Sequence, residues 1–226
     1  MGMMAGVRRA LLSGGQAAAV VPWYLSGGIL AANCIAAYQP RGAASLAASY
    51  VNLANPGTYD AAPVVAPTWD AVNGWVGDGT QYLNTGVVPA ANYSMFVRFS
   101  GAPQNVYKAL CGSYGGAGRW LNIEHYNVPA NSIFFGQGGS VVSAGGQDVA
   151  AGIYGIAGQS GYKNGVAIVG GIAAWAGVSI QAVYILAMNP GGVAGRIIAA
   201  NIQAFAIYNV DISASAVALN TAMAAL

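Results

Sequence analysis

An all-β sandwich with an N-terminal arm and a short C-terminal helix is the fold class this sequence predicts, and three observations carry that prediction. Short apolar runs are cut by Gly, Pro, Asn or Asp about every ten residues, the rhythm of strands and tight turns in a sandwich or barrel. Residues 93–100 alternate: Tyr93, Met95, Val97 and Phe99 form a fully apolar face, and Ser94, Phe96, Arg98 and Ser100 lie opposite. The 33 glycines follow no Gly-X-Y period, which excludes collagen and implies many turns between short elements.

Residues 1–33 read as an Ala/Gly-rich arm in which Pro22, Trp23, Tyr24 and Leu25 are the one dense apolar cluster. Such an arm has no core of its own. It is expected to be ordered by a neighbouring subunit, with this cluster as anchor, because Trp and Tyr bury large area at low side-chain entropy. The sandwich is expected over 34–226, with strands at 81–85, 93–100, 106–111, 120–125, 132–135, 141–143, 153–157, 166–169, 180–188 and 197–208. Several of these are apolar on both faces, as inner strands of packed layers are. Ser213 then caps a helix over 214–226, with Val217, Met223 and Leu226 among its apolar positions, expected to seal one edge or end of the sandwich.

Two segments imitate membrane or targeting signals. Arg8 and Arg9 followed by 10–21 resemble a signal peptide, but Ser13-Gly14-Gly15-Gln16 breaks the apolar stretch. The span 166–188 is uncharged and long enough to cross a bilayer, yet Gly170-Gly171, Gly177, Ser179 and Gln181 favour two short strands around a Gly-Gly turn. No membrane partner is expected.

Composition narrows the function classes. Hydrophobic residues make up 56% of the 226, which excludes intrinsic disorder, and a net charge of +2 without Lys/Arg clusters excludes an electrostatic nucleic-acid binder. Size scaling gives roughly 9,500 Å² of folded surface, or about 700 Å² per charged group, so much of the surface is expected to be covered by a partner. Cys34 and Cys111 can form one bridge at most and show no zinc or redox spacing, so buried thiols are expected and the redox compartment stays open.

Particular motifs look familiar. Residues 75–86, Trp-Val-Gly-Asp-Gly-Thr-Gln-Tyr-Leu-Asn-Thr-Gly, followed by the alternating strand 93–100, resemble the opening of concanavalin A-like or laminin-G-like jelly-roll domains. Gly161-Tyr162-Lys163-Asn164-Gly165-Val166 is similar to that family's hairpin, whose Asn-Gly pair suits a type I′ turn, and 205–213 to its terminal strand-to-helix junction. Residues 35–45 and 51–58 also resemble the Ala/Gly-rich concanavalin-like proteins of tailed bacteriophages. That resemblance implies a virion component, a capsid decoration or tail-associated protein exposed on the particle and extracellular after release. Its partners would be copies of itself and other virion proteins.

The same resemblance brings glycosidases into view, whose usual mechanism needs two carboxylates. Glu124 is the only glutamate, and in a strand Glu124 and the single histidine, His125, point to opposite faces, so no enzyme is expected. There is no Gly-x-Ser-x-Gly elbow, and the Gly-rich stretches lack the Lys-Ser/Thr of a P-loop. No cofactor is expected apart from calcium, for which Asp70, Asn73 and Asp78 around Trp69 and Trp75 are the candidate oxygen donors; surface turns explain them equally well. Tyr114, Trp120, Tyr126 and Trp175 are candidates for stacking on sugar rings, against ordinary burial or interface use. The sequence thus reads as a non-enzymatic virion structural protein. Its alternative is a carbohydrate-binding adhesin or lectin-like module that takes a host-surface glycan.

Overall fold

The computed structural model describes residues 20–226 apart from 117, 174, 176 and 178. Residues 1–19 of the expected arm lie outside the described residues. In chain order the strands are β1 (Cys34–Tyr38), β2 (Ala62–Val65), β3 (Thr68–Asp70), β4 (Gly74–Val76), β5 (Tyr82–Asn84), β6 (Ser94–Ser100), β7 (Lys108–Tyr114) and β8 (Trp120–Tyr126). They continue as β9 (Ser132–Gly138), β10 (Ser140–Ala144), β11 (Gly152–Ala157), β12 (Ser160–Lys163), β13 (Val166–Val169), β14 (Tyr184–Ile185) and β15 (Asn201–Tyr208), with helices α1 (Leu46–Ser49) and α2 (Ala216–Ala224).

Two antiparallel sheets pack face to face as the sandwich expected. An eight-stranded sheet runs β13-β12-β11-β6-β15-β4-β3, and β1 joins it along β15. A seven-stranded sheet runs β10-β9-β8-β7-β14-β5-β2. The long strand 94–100 behaves as its alternation predicts. Met95, Val97 and Phe99 enter the core between the sheets with Phe205, Ile207, Leu121, Ile123, Ile133 and Phe135, each 1% exposed or less.

The opposite face of the eight-stranded sheet is covered as well. Phe96, Ala204, Ala206 and Tyr208 form a second apolar cluster with Trp23, Ile29, Leu219 and Met223. Arg98 points to this side and donates from Nη1 to the Met223 carbonyl. Small residues at 204 and 206 leave a shallow shelf, which the helix and the arm fill.

That packing gives the 22–25 cluster, read from the sequence as an anchor on a neighbour, contacts within its own chain. Residues Trp23–Leu25 form a 3₁₀ turn, and Trp23 is buried on its own sandwich. Tyr208 Oη donates to the Tyr24 carbonyl at 3.0 Å, Tyr24 Oη to the Leu53 carbonyl at 2.9 Å, and Ser215 Oγ to the Gly27 carbonyl at 2.9 Å.

Two further expectations change. Ser213 does not cap the helix with its side chain: Ser213–Ser215 is a 3₁₀ turn, Asp211 Oδ1 accepts from the Ser213 amide at 2.8 Å, and the α-helix begins at Ala216. Of 180–188, only Tyr184–Ile185 is strand, because Leu186 adopts a left-handed φ of +67° that ends the extended run. The Asn-Gly hairpin forms as read: Lys163 pairs with Val166 across Asn164 and Gly165, whose φ values of +48° and +80° suit a type I′ turn. Cys34 and Cys111 are both buried free thiols, and burial pushes the Cys34 thiol up to about 12. Among the described residues no helix is long and apolar enough to cross a membrane.

Candidate functional site

Strand β8 carries the site, and its period of two decides what faces where. Leu121 and Ile123 enter the core, and His125 follows them inward, its ring 5.5 Å from that of Phe99. Trp120, Asn122, Glu124 and Tyr126 therefore face outward from the seven-stranded sheet. Burial holds the His125 imidazole down at about 4, partly opposed by the Pro103 carbonyl near Nδ1, so it is neutral and on the far side of the sheet from Glu124.

The neighbouring strands shape the outer face. Asn122 lies between Gly112 of β7 and Gly136 of β9, Trp120 between Tyr114 and Gly138, and Glu124 between Ala109 and Phe134. A Cβ on Gly136 would sit 1.8 Å from Asn122 Oδ1, so glycine there makes room for the amide. The result is a trough with aromatic ends. Trp120 stacks on Tyr114 at 4.0 Å between centroids, Tyr126 stacks on Phe134 at 4.1 Å, and Tyr107 meets Tyr126 edge-on at 4.7 Å.

The floor is polar and buried. Glu124 and Asn122 are each 1% exposed. Arg196, between β14 and β15, donates from Nη1 to Glu124 Oε1 at 2.8 Å and to Oε2 at 2.6 Å, and its guanidinium lies 3.9 Å from the Tyr107 ring centroid. Burial raises the Glu124 carboxyl pKa, and the Arg196 charge opposes that rise. Arg196 holds a left-handed φ of +55°, a strained conformation costing roughly 1–3 kcal/mol, and its carbonyl accepts from the Ala109 amide at 2.8 Å. Asn122 Oδ1 has no hydrogen-bond partner among the described residues. Tyr107, Trp120, Asn122, Glu124, Phe134 and Arg196 enclose about 160 Å³.

Three of the four aromatic candidates from the sequence, Tyr114, Trp120 and Tyr126, thus share one face. Trp175 does not: it packs against the main core and lines a separate recess with Gln137, Ser160 and Asp211. Sequence reading missed Asn122, Glu124, Tyr107, Phe134 and Arg196 as partners. The alternation of 120–126 was a usable signal for the first two, whereas no local signal could bring Arg196 across 72 residues to Glu124.

The proposed calcium donors are engaged in their own turns. Asp70 Oδ1 accepts from the Val72 and Asn73 amides at 2.8 and 2.7 Å, and Oδ2 from Asn73 Nδ2 at 2.9 Å. Asp78 Oδ1 accepts from the Thr80 amide and hydroxyl at 3.0 and 2.7 Å. Asp70 sits at the turn end of the β3–β4 hairpin and Asp78 beyond its open end. Among the described residues no group of three or more His, Cys, Asp or Glu is placed to hold a metal ion.

No family model matches the chain. No curated protein matches it either. Solved structures do share the fold. The binding domain of botulinum neurotoxin serotype D is 11% identical with a TM-score of 0.54, covering 87% of this chain and 52% of that one. A structure described as the HCR/D W1238A mutant is 12% identical with a TM-score of 0.56, covering 87% and 53%. Trypanosoma rangeli sialidase in complex with sialic acid is 13% identical with a TM-score of 0.54, covering 84% and 33%. The chain spans from a third to about half the length of these proteins, and at such identities the likeness is one of fold.

Proposed function

We propose that this chain is a carbohydrate-binding module and that the trough on the outer face of the seven-stranded sheet takes a sugar unit of a surface glycan. The observation that carries this reading is the composition of the trough: aromatic rings at its ends over a buried floor that holds an unpartnered acceptor, Asn122 Oδ1. A sugar ring offers C–H surface to aromatic faces and hydroxyl donors to a carbonyl-type oxygen. A buried acceptor left unsatisfied costs about 1–3 kcal/mol, which a ligand hydroxyl would recover. The fold is not what needs the polar floor, since apolar residues of similar volume often replace a buried ion pair without loss of stability. At about 160 Å³ the trough is smaller than a drug-sized pocket and suits one terminal sugar unit. One sialidase sharing this fold is described with sialic acid, and the toxin structure is described as a binding domain; both descriptions agree with the reading.

In this proposal the module binds without turnover. Glu124 is the trough's carboxylate and is already paired with Arg196, so the usual pair of free carboxylates is missing. A virion location, implied by the resemblance over 35–45 and 51–58, draws no further support from the fold, where Asn52 ties the second of these segments to β1 through the Ala37 amide and the Ile35 carbonyl.

The test is a glycan array followed by titration calorimetry of the full chain with each sugar that binds. Trp120→Ala and Asn122→Ala should each weaken binding by about tenfold or more. An array without a single binder, or affinities that both variants leave unchanged, rejects the reading. Reproducible hydrolysis of an array glycan that disappears in Glu124→Gln would reject the non-catalytic part of it.

A further inference from the structure

A second recess opens at one end of the sandwich, where the β11–β12 turn of one sheet approaches β9 of the other. It encloses about 490 Å³, within the usual range for small-molecule sites and well above the about 160 Å³ of the trough. Asn92, Gln159, Ser160 and Asp211 supply polar walls, and Trp175 and Tyr162 supply aromatic ones. The two sites share no lining residue.

Its floor contains a polar group that the fold does not use. Gln137 follows Ile133 and Phe135 on the core-facing side of β9 and is 1% exposed, yet its side-chain Oε1 has no hydrogen-bond partner among the described residues. An apolar side chain would serve the core better there, since an unpaired buried acceptor is destabilising. The Trp175 indole N–H is also buried without a partner among the described residues. One wall thus needs a donor and the other an acceptor.

A hydroxyl satisfies both needs, whereas an ammonium has no acceptor to offer the indole. Among the described residues no Lys or Arg lines the recess, and Asp211 is its one charged group. Asp211 Oδ1 accepts from the Ser213 amide, while Oδ2 leans over Gly158, where a Cβ would lie 2.8 Å away. An acidic sugar would meet this carboxylate with no cation to offset it, so the charge pattern selects for neutral ligands.

We propose that this recess is a second saccharide site, selective for neutral sugars, so that one chain holds two independent sugar sites. The ligand class rests on the glycan-binding reading above; the residues and the selectivity do not. The experiment follows amide resonances of the ¹⁵N-labelled full chain during titration with glucose, galactose, mannose and N-acetylglucosamine, and separately with sialic acid, glucuronic acid and methylammonium. For at least one neutral sugar, the Gln159 and Ser160 amides should shift and saturate, about tenfold more tightly than for either acidic sugar. Trp120→Ala should leave these shifts in place. Gln137→Leu, which removes the acceptor at similar volume, should weaken them about tenfold. Gln159→Trp, on an exposed turn away from the core, should do the same if Gln137→Leu fails to fold.

Absence of saturating shifts for every neutral sugar overturns the proposal, as do shifts lost in Trp120→Ala, shifts indifferent to the recess variants, or saturation by methylammonium instead. Loss of the trough's response alone would reject the trough and leave the recess standing.

Discussion

The two outer faces of this sandwich begin from the same physics and end differently. Each sheet exposes to its outside a row of residues that alternates with the core row. On the eight-stranded sheet that row is small and apolar, with Ala204, Ala206 and Ala157 beside Phe96, and the chain lays its own helix and arm over it. On the seven-stranded sheet the row is Trp120, Asn122, Glu124 and Tyr126, and no helix of the described residues covers it. A sandwich face becomes a candidate site where its own chain leaves it open and its residues are too polar to be sealed by a helix. Where small side chains allow close approach, the same geometry becomes a second core.

Five expected outcomes would break or sharpen this contrast. The largest concerns the core beneath both faces: Phe99→Ala should cost about 3–5 kcal/mol in denaturant unfolding, and a smaller loss than that of Arg98→Ala would mean the register of β6 is wrong. Next, Leu219→Ala should cost about 2–5 kcal/mol while leaving glycan affinity intact, because it sits under the covered face. An unchanged midpoint would show that α2 is not part of the cooperative unit.

His125 probes the inward row of β8. Its folded pKa of about 4 lies below the usual 6.5, so the unfolded chain takes up the proton first as pH falls. Stability from this group is full above pH 6.5, declines between 6.5 and about 4, and amounts to roughly 3 kcal/mol. His125→Phe should flatten the acid limb of the stability profile in that window, and an unchanged slope would place the imidazole in contact with water. The half-buried Asp70 and the exposed Asp78, lowered chiefly by the Asn73 amide and by the Gln81 side chain respectively, act only at more acid pH.

Arg98→Ala should cost about 1.5 kcal/mol, the worth of one charge-assisted hydrogen bond to the end of α2. The smallest stability effect is expected on the open face: Trp120→Ala should cost about 1 kcal/mol, mainly its stack on Tyr114, while weakening glycan binding in the trough about tenfold or more. A large unfolding penalty there would mean that the trough is core after all.

Much of this architecture is legible in the residues. The turn rhythm, the alternation of 93–100 and the Asn164-Gly165 pair are local signals, set by backbone sterics and by the period of a strand, and the structure follows them. The shortest strands escape such reading: β2 contains Pro63, β3 and β4 have three residues each, and none is long enough to show a period. The site divides in the same way. By itself the sequence determined that Trp120 and Tyr126 share a face and that Glu124 and His125 do not, because both follow from alternation along one strand. Only the tertiary structure decided that Arg196 reaches Glu124, that Trp175 belongs to a different recess, and that Trp23 lies on its own sheet. Each of those contacts joins residues far apart in the chain, and which surfaces meet depends on the area and shape that remain once both sheets have closed over their core.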